Sequence, residues 1–217
     1  MSNNTRKNSA LIINGGPCPD KRVLDCLPEF DEVIAVDSGF DNSRILGILP
    51  DIVIGDLDSI SANGLETVEK QSIQIISFPE DKDKSDLELA ILHASRSCTS
   101  VTIVDSGAGR VDHLWGVFSA MASTVASMIS CKAFVGSSFV KVVRDDYVVQ
   151  PLANNLVSIF PFGGVAEGVT LSGFRWNLNH ETLNPGSTRG LSNEIVECLG
   201  NISVQKGVLF VMQSGLY

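Results

Sequence analysis

Acidic residues follow the apolar runs of this chain in a regular way. Asp37 follows residues 33–36, Asp56 and Asp58 follow 52–54, the segment 80–86 follows 73–78, and Asp105 follows 101–104. If those runs are strands of an open α/β sheet, their carboxyl ends form the rim where ligands bind. Carboxylates delivered there by successive strands would suit a hard, oxygen-seeking cation such as magnesium.

Three segments carry the detail. In Gly55-Asp56-Leu57-Asp58-Ser59 the i, i+2 spacing lets two carboxylates converge on one metal, whereas the structural alternative is a strand-ending turn whose Asp and Ser bond their own backbone. Lys82-Asp83-Lys84-Ser85-Asp86 reads either as a solvated charge run or as a functional loop. In the second reading Asp86 is fixed in the first turn of a helix, and Lys82 and Lys84 come before it, within reach of phosphate. Ser106-Gly107-Ala108-Gly109-Arg110-Val111-Asp112-His113 is a glycine-rich turn ahead of an uncharged helix. There the backbone can approach phosphate closely, the helix dipole favours an anion, and Arg110 can fork onto phosphate oxygens. It is neither a Walker loop nor a dinucleotide fingerprint, because no G-x-x-x-x-G-K-[ST] occurs and Asp112 stands where the third glycine would be. His93, His113 and His180 are too scattered to form a metal set.

The elements that must position these residues follow from the patterning. Residues 10–13, 33–36, 52–54, 73–77 and 101–104 are predicted as buried strands. Helical periodicity covers 65–70 and 86–95, and the second opens on a Ser85/Glu88 capping box. This alternation predicts an α/β domain with a mostly parallel sheet between helical layers over residues 1–140. The uncharged stretch 114–131 reads as a buried helix, too rich in Ser, Thr, Ala and Gly for a membrane span. Beyond residue 140 the runs 140–144, 147–149, 156–160, 202–205 and 208–212, separated by Gly, Asn and Pro turns, predict a second, all-β domain over 141–217.

Composition narrows the function classes. With 217 residues, 44% hydrophobic, the chain can bury a sizeable core. Sixteen basic residues against 25 acidic ones give a formal charge of -9, which argues against nucleic acid or an anionic membrane as partner. The five cysteines are odd in number and never in a C-x-x-C pair, so neither a disulfide framework nor a zinc site is expected, and a cytoplasmic setting is. Residues 1–9 lack the apolar core of a signal peptide.

Taken in order, these segments resemble the thiamine pyrophosphokinase family. The resemblance rests on Ala35-Val36-Asp37-Ser38-Gly39, Pro50-Asp51, Gly55-Asp56-Leu57-Asp58-Ser59, Lys82 to Ala90 and Gly109 to His113, then on Gly173-Phe174-Arg175-Trp176-Asn177-Leu178 and Leu191-Ser192-Asn193, which look like its thiamine-binding segment. It implies an α/β catalytic domain followed by a β-sandwich, ATP as co-substrate, and a homodimer with active sites at the subunit interface. By the same resemblance Asp56, Asp58 and Asp86 would carry magnesium, and Lys82 and Arg110 would face the phosphates. Asp112 would orient or deprotonate the thiamine hydroxyl; Asp37, Ser192 and Asn193 would join substrate binding. Trp176 would stack on thiamine from the neighbouring subunit, its alternative being a core tryptophan. Ser38, Asp41, Ser85, Val117 and Gly190 stand where the family more often has Gly, Asn, Thr, Asn and Ser; the last two bear on thiamine affinity more than on chemistry.

Two other function classes fit parts of the pattern. Ile54-Gly55-Asp56-Leu57-Asp58 also resembles the D-x-D strand end of haloacid-dehalogenase-like phosphatases, although Gly55 interrupts the strand and Ile60 stands where Thr or Val is expected. A non-catalytic thiamine or nucleotide sensor would share the fold. A transferase acting on a pterin alcohol would fit the first domain, but not the Trp176 segment.

Overall fold

The computed structural model describes residues 8–78, 83–152 and 154–217, so Lys82, Glu80 and the start of the N-terminal segment lie outside the described residues. The chain divides into two compact units, Met1–Gly136 and Ser137–Tyr217.

The first unit is built on strands β1 (Ser9–Ile13), β2 (Glu32–Val36), β3 (Ile52–Ile54), β4 (Gln74–Ile76), β5 (Ser100–Asp105) and β6 (Ser130–Val135). They lie in the order β6-β5-β1-β2-β3-β4, every pair parallel. Strands β1, β2, β3 and β5 are buried and mostly apolar, with Thr102 the polar residue inside β5, because each is covered on both faces. At the edge, β4 leaves Gln74 and Ile75 exposed. Helix α1 (Gly39–Leu46) links β2 to β3, α2 (Ala62–Lys70) links β3 to β4, α3 (Asp86–Ser95) runs back to β5, and α4 (Val111–Ala122) leads to β6. Right-handed crossovers that change direction along a sheet place their helices on opposite faces, giving three layers. Helix α3 packs on α4 and reaches β1, β2, β3 and β5.

Local signals explain the helix ends. Ser85 Oγ accepts a hydrogen bond from Glu88 N at 3.3 Å, fixing the start of α3, and Leu87, Ala90, Ile91 and Ala94 are buried. Ser61 caps α2 through Gly64 N at 3.0 Å. Helix α1 ends at Gly47 in the left-handed region.

The stretch 114–131 is not one buried helix. Helix α4 already begins at Val111 and stops at Ala122. Ser123 then accepts from Ala126 N at 3.3 Å to start a short 3-10 turn, and β6 follows. Nor is α4 buried all round: Trp115 is 64% exposed. No helix among the described residues is long and apolar enough to cross a membrane.

The second unit is a sandwich of antiparallel strands. They are β7 (Ser138–Val143), β8 (Asp146–Val149), β9 (Leu156–Pro161), β10 (Ala166–Ser172), β11 (Leu178–Leu183), β12 (Asn193–Glu194), β13 (Gly200–Ser203) and β14 (Leu209–Ser214). One layer runs β12-β9-β14-β7 and the other β11-β10-β13-β8. Side chains of both layers, among them Val157, Ile159, Val169, Leu171, Ile202 and Val211, share one core.

Candidate active site

In the first unit the strand order reverses beside β1: β2, β3 and β4 extend to one side, β5 and β6 to the other. That switch point opens a crevice beyond the carboxyl ends of β1 and β5. The residues there are Asn14-Gly15-Gly16 and the turn from Ser106 to Arg110. Asn14 Nδ2 donates to Asp105 Oδ2 at 2.7 Å and Gly107 N to Asp105 Oδ1 at 2.8 Å, so Asp105 braces the two loops. Buried Asn42 on α1 donates to the carbonyls of Asn14 and Gly16 at 3.1 and 3.2 Å. A Cβ on Gly39 would lie 2.1 Å from the Ile13 carbonyl oxygen, which explains the glycine at the head of α1. Asn14 to Gly16 escaped the sequence reading, which followed acidic residues; an Asn-Gly-Gly after an apolar run was the available signal.

The loops after β2 and β3 interlock. Asp37 has φ 49°, and its N–H donates to Ile54 O at 3.1 Å. Its carboxylate lies against Gly55, where a Cβ would sit 1.7 Å from Oδ1. Ser38 N donates to Ser59 Oγ at 3.1 Å, and Gly16 N to Ser38 Oγ at 3.0 Å. Asp41 accepts from Ser61 N and Oγ, both at 2.7 Å, and so anchors the start of α2.

Asp56 and Asp58 are exposed on one turn, with Asp56 Oδ1 accepting from Asp58 N at 3.2 Å. The backbone-bonding alternative for this motif is therefore realised for Asp56. Asp86 is the first residue of α3, and Lys84 lies 3.8 Å from Glu88. Among the described residues, no three His, Cys, Asp or Glu side chains are grouped to hold a metal ion. The structure thus does not gather Asp56, Asp58 and Asp86 into an all-protein cage. The donor set still fits magnesium, which usually binds through one or two carboxylates together with substrate phosphates and waters.

Arg110 precedes α4, and its Nε donates to Asp112 Oδ1 at 3.1 Å in a two-pronged pair. That hydrogen bond holds the Asp112 carboxyl down at about 2 and raises the Arg110 guanidinium. Gly109 has φ 92°, and a Cβ there would lie 3.3 Å from Pro17 Cγ of the β1 loop.

The second unit holds a cleft of about 520 Å³ walled by Ile159, Leu178, Leu183, Gly190, Leu191 and Trp176. Trp176 is 58% exposed, which sets aside a core role. Arg175 pairs with Glu194 at 3.0 Å and places its guanidinium 5.5 Å from the Trp176 ring centre. Asn193 lines the cleft but is buried, its amide turned to the Trp176 backbone; Ser192, at φ 54°, is not part of the lining.

Residues 25–133 match the family model described as thiamin pyrophosphokinase, catalytic domain, and residues 146–209 match that of the thiamin pyrophosphokinase vitamin B1 binding domain. The chain belongs to the thiamine pyrophosphokinase family. Over 210 residues it is 28% identical to the thiamine pyrophosphokinase of Bacillus subtilis, covering 94% of this chain and 97% of that protein. The crystal structure of the Bacillus subtilis enzyme superposes with a TM-score of 0.84 at 26% identity, over 95% of this chain and 99% of that one. Yeast thiamin pyrophosphokinase, at 14% identity, shares the fold with a TM-score of 0.77 over 97% of this chain and 87% of its own. The two matched segments fall one in each unit. As a member of that family the chain is a transferase, moving diphosphate from ATP to thiamine.

Proposed function

We propose that the chain makes thiamine diphosphate and AMP in a magnesium-dependent reaction, in the cytoplasm and as a homodimer. The observation that carries this reading is the switch-point rim, where two glycine-bearing turns are joined through Asn14 and Asp105 and the carboxylates of Asp56 and Asp58 follow β3, two strands from β1 on the same sheet. Five free cysteines support a reducing compartment.

The task is to bring a neutral alcohol in line with the β-phosphorus of ATP, which is mainly positioning and charge neutralisation. The turns at Asn14 to Gly16 and Ser106 to Arg110 offer backbone to the phosphates. Magnesium held by Asp56, Asp58 and Asp86 would supply neutralisation of phosphate charge. Arg110 takes further charge, and Lys82, outside the described residues, joins it. While paired with Arg110, Asp112 is too weak a base to take the thiamine proton and serves as an acceptor that orients the hydroxyl. When phosphate draws the guanidinium away, its basicity rises toward that of an ordinary carboxylate. Trp176 offers the stacking face for thiamine, and Asp37 holds the rim beside Gly55.

Mass spectrometry after incubation with thiamine, ATP and magnesium is expected to show thiamine diphosphate and AMP accumulating together, with neither formed when EDTA is present. ADP with inorganic phosphate would support a phosphatase, and no product despite thiamine binding would support a sensor. The dimeric reading, in which Trp176 serves the partner's rim, has its own test. Asp58→Ala and Trp176→Ala proteins, mixed one to one, allowed to exchange subunits and assayed at thiamine well below KM, where both parents are weak, should recover about a quarter of wild-type activity, since half the dimers are mixed and each has one intact site. A mixture that stays at the average of its two parents although exchange is shown by native mass spectrometry would refute the shared site.

A further inference from the structure

The ring of Trp176 is exposed, yet its main chain is held by buried groups. Asn193, 4% exposed, grips both polar atoms of the Trp176 backbone: Nδ2 donates to Trp176 O at 2.9 Å, and Oδ1 accepts from Trp176 N at 3.2 Å. The same Oδ1 accepts from Glu194 N at 2.9 Å, so both of its lone pairs are engaged and none is left for a ligand. Strand β12 places the amide there through its pairing with β9, Asn193 opposite Val157. The flanking residues are pinned as well. Phe174 is buried and donates its N–H to Asn177 Oδ1 at 3.1 Å, while Arg175 N donates to Glu194 O at 2.8 Å.

We infer that Asn193 is a positioning residue: through the main chain of Trp176 it fixes the indole as a stacking platform for the aromatic ring of thiamine, without touching thiamine through its oxygen. The inference rests on the reading that this cleft takes thiamine. An amide buried to hold one peptide from both sides costs desolvation. What it secures is a ring fixed before the ligand arrives, so that binding does not have to order the turn. Removing the amide leaves the N–H and C=O of Trp176 without these bonds, and the turn loses its register.

The test compares thiamine KM, ATP KM and kcat for wild type, Trp176→Ala, Asn193→Ala and the double variant, all as full-length protein. Each single change is expected to raise thiamine KM about tenfold, with ATP KM and kcat within about twofold. The double variant should be no worse than Trp176→Ala alone, because Asn193 acts through the ring that change removes. If Asn193→Ala does not fold, Asn193→Asp keeps the acceptor and can donate to Trp176 O only when protonated. Thiamine affinity of N193D should then recover as pH is lowered, a trend the wild type lacks; its absence in folded N193D would count against the inference. Asn193→Ala that lowers Tm but leaves thiamine KM unchanged would overturn it, since the role would be structural only. A further loss on top of Trp176→Ala would also overturn it, since Asn193 would then act on thiamine directly. Unchanged thiamine KM in Trp176→Ala would remove the thiamine cleft itself, a failure separable from the other two.

Discussion

Asp58→Ala is expected to lower kcat about a thousandfold or more while moving Tm by no more than about 2 °C. The carboxylate is exposed at the end of β3, and its removal takes away a ligand of the proposed magnesium together with local negative charge. Asp56→Ala would also disturb the turn, because Asp56 Oδ1 accepts from Asp58 N. Steady-state kinetics across a magnesium titration makes the assignment specific: Asp58→Asn, which keeps an oxygen ligand but loses the charge, should need more magnesium to reach half its own maximal rate. Near-normal turnover of Asp58→Ala at ordinary magnesium would remove this carboxylate from the metal set.

The elements that position this rim were legible wherever burial and periodicity agreed. Strands β1, β2 and β3 are apolar beyond Ser9 and Glu32 at their starts, β5 is interrupted only by buried Thr102, and helical periodicity with the Ser85/Glu88 start marked α3 as Asp86–Ser95. Helix α1 was not legible, because its buried face includes Asn42 and Ser43. Asn42 is buried to serve the carbonyls of Asn14 and Gly16, contacts that no periodicity encodes. Strand β6 was hidden for the opposite reason: residues 123–129 between α4 and β6 carry no charge and include Val125, Ala126, Met128 and Ile129, so the apolar character of the helix runs on into the strand. Strand β11 has apolar residues only at Leu178 and Leu183, and β10 carries irregularities in its register against β11, so neither keeps a period of two.

The candidate site divides along the same line. Its carboxylates were legible by type and place in the chain, but their division of labour was not. Asp105 became a brace once both its oxygens were engaged by Asn14 and Gly107. Asp41 became an anchor for Ser61, and Asn193, read as a substrate ligand, bonds a backbone 17 positions away. In each case the deciding partner is distant in sequence, which spacing along the chain cannot supply.

Gly55 is where the rim is least able to accept a side chain, and Gly55→Ala is expected to destabilise the first unit by about 2–5 kcal/mol. Two costs combine. The residue has φ +147°, a region L side chains avoid, and the new methyl would lie 1.7 Å from Asp37 Oδ1 and 2.8 Å from its carboxyl carbon. The short Asp37 side chain cannot move aside cheaply, because Asp37 is itself at φ 49° with its N–H bound to Ile54 O at 3.1 Å. Relief must come from the turn, which also carries Asp56 and Asp58, so activity should fall with stability, unlike in Asp58→Ala. Thermal denaturation should show a drop in Tm on the order of 10 °C, and activity well below the melting range should remain reduced. Wild-type Tm and turnover in Gly55→Ala would mean that the close approach of Asp37 to Gly55 is not maintained in solution. Smaller Asp37 variants provide the physical control: if the overlap is the cause, Asp37→Gly should recover part of the stability lost by Gly55→Ala, because the two residues share one contact and their effects are coupled.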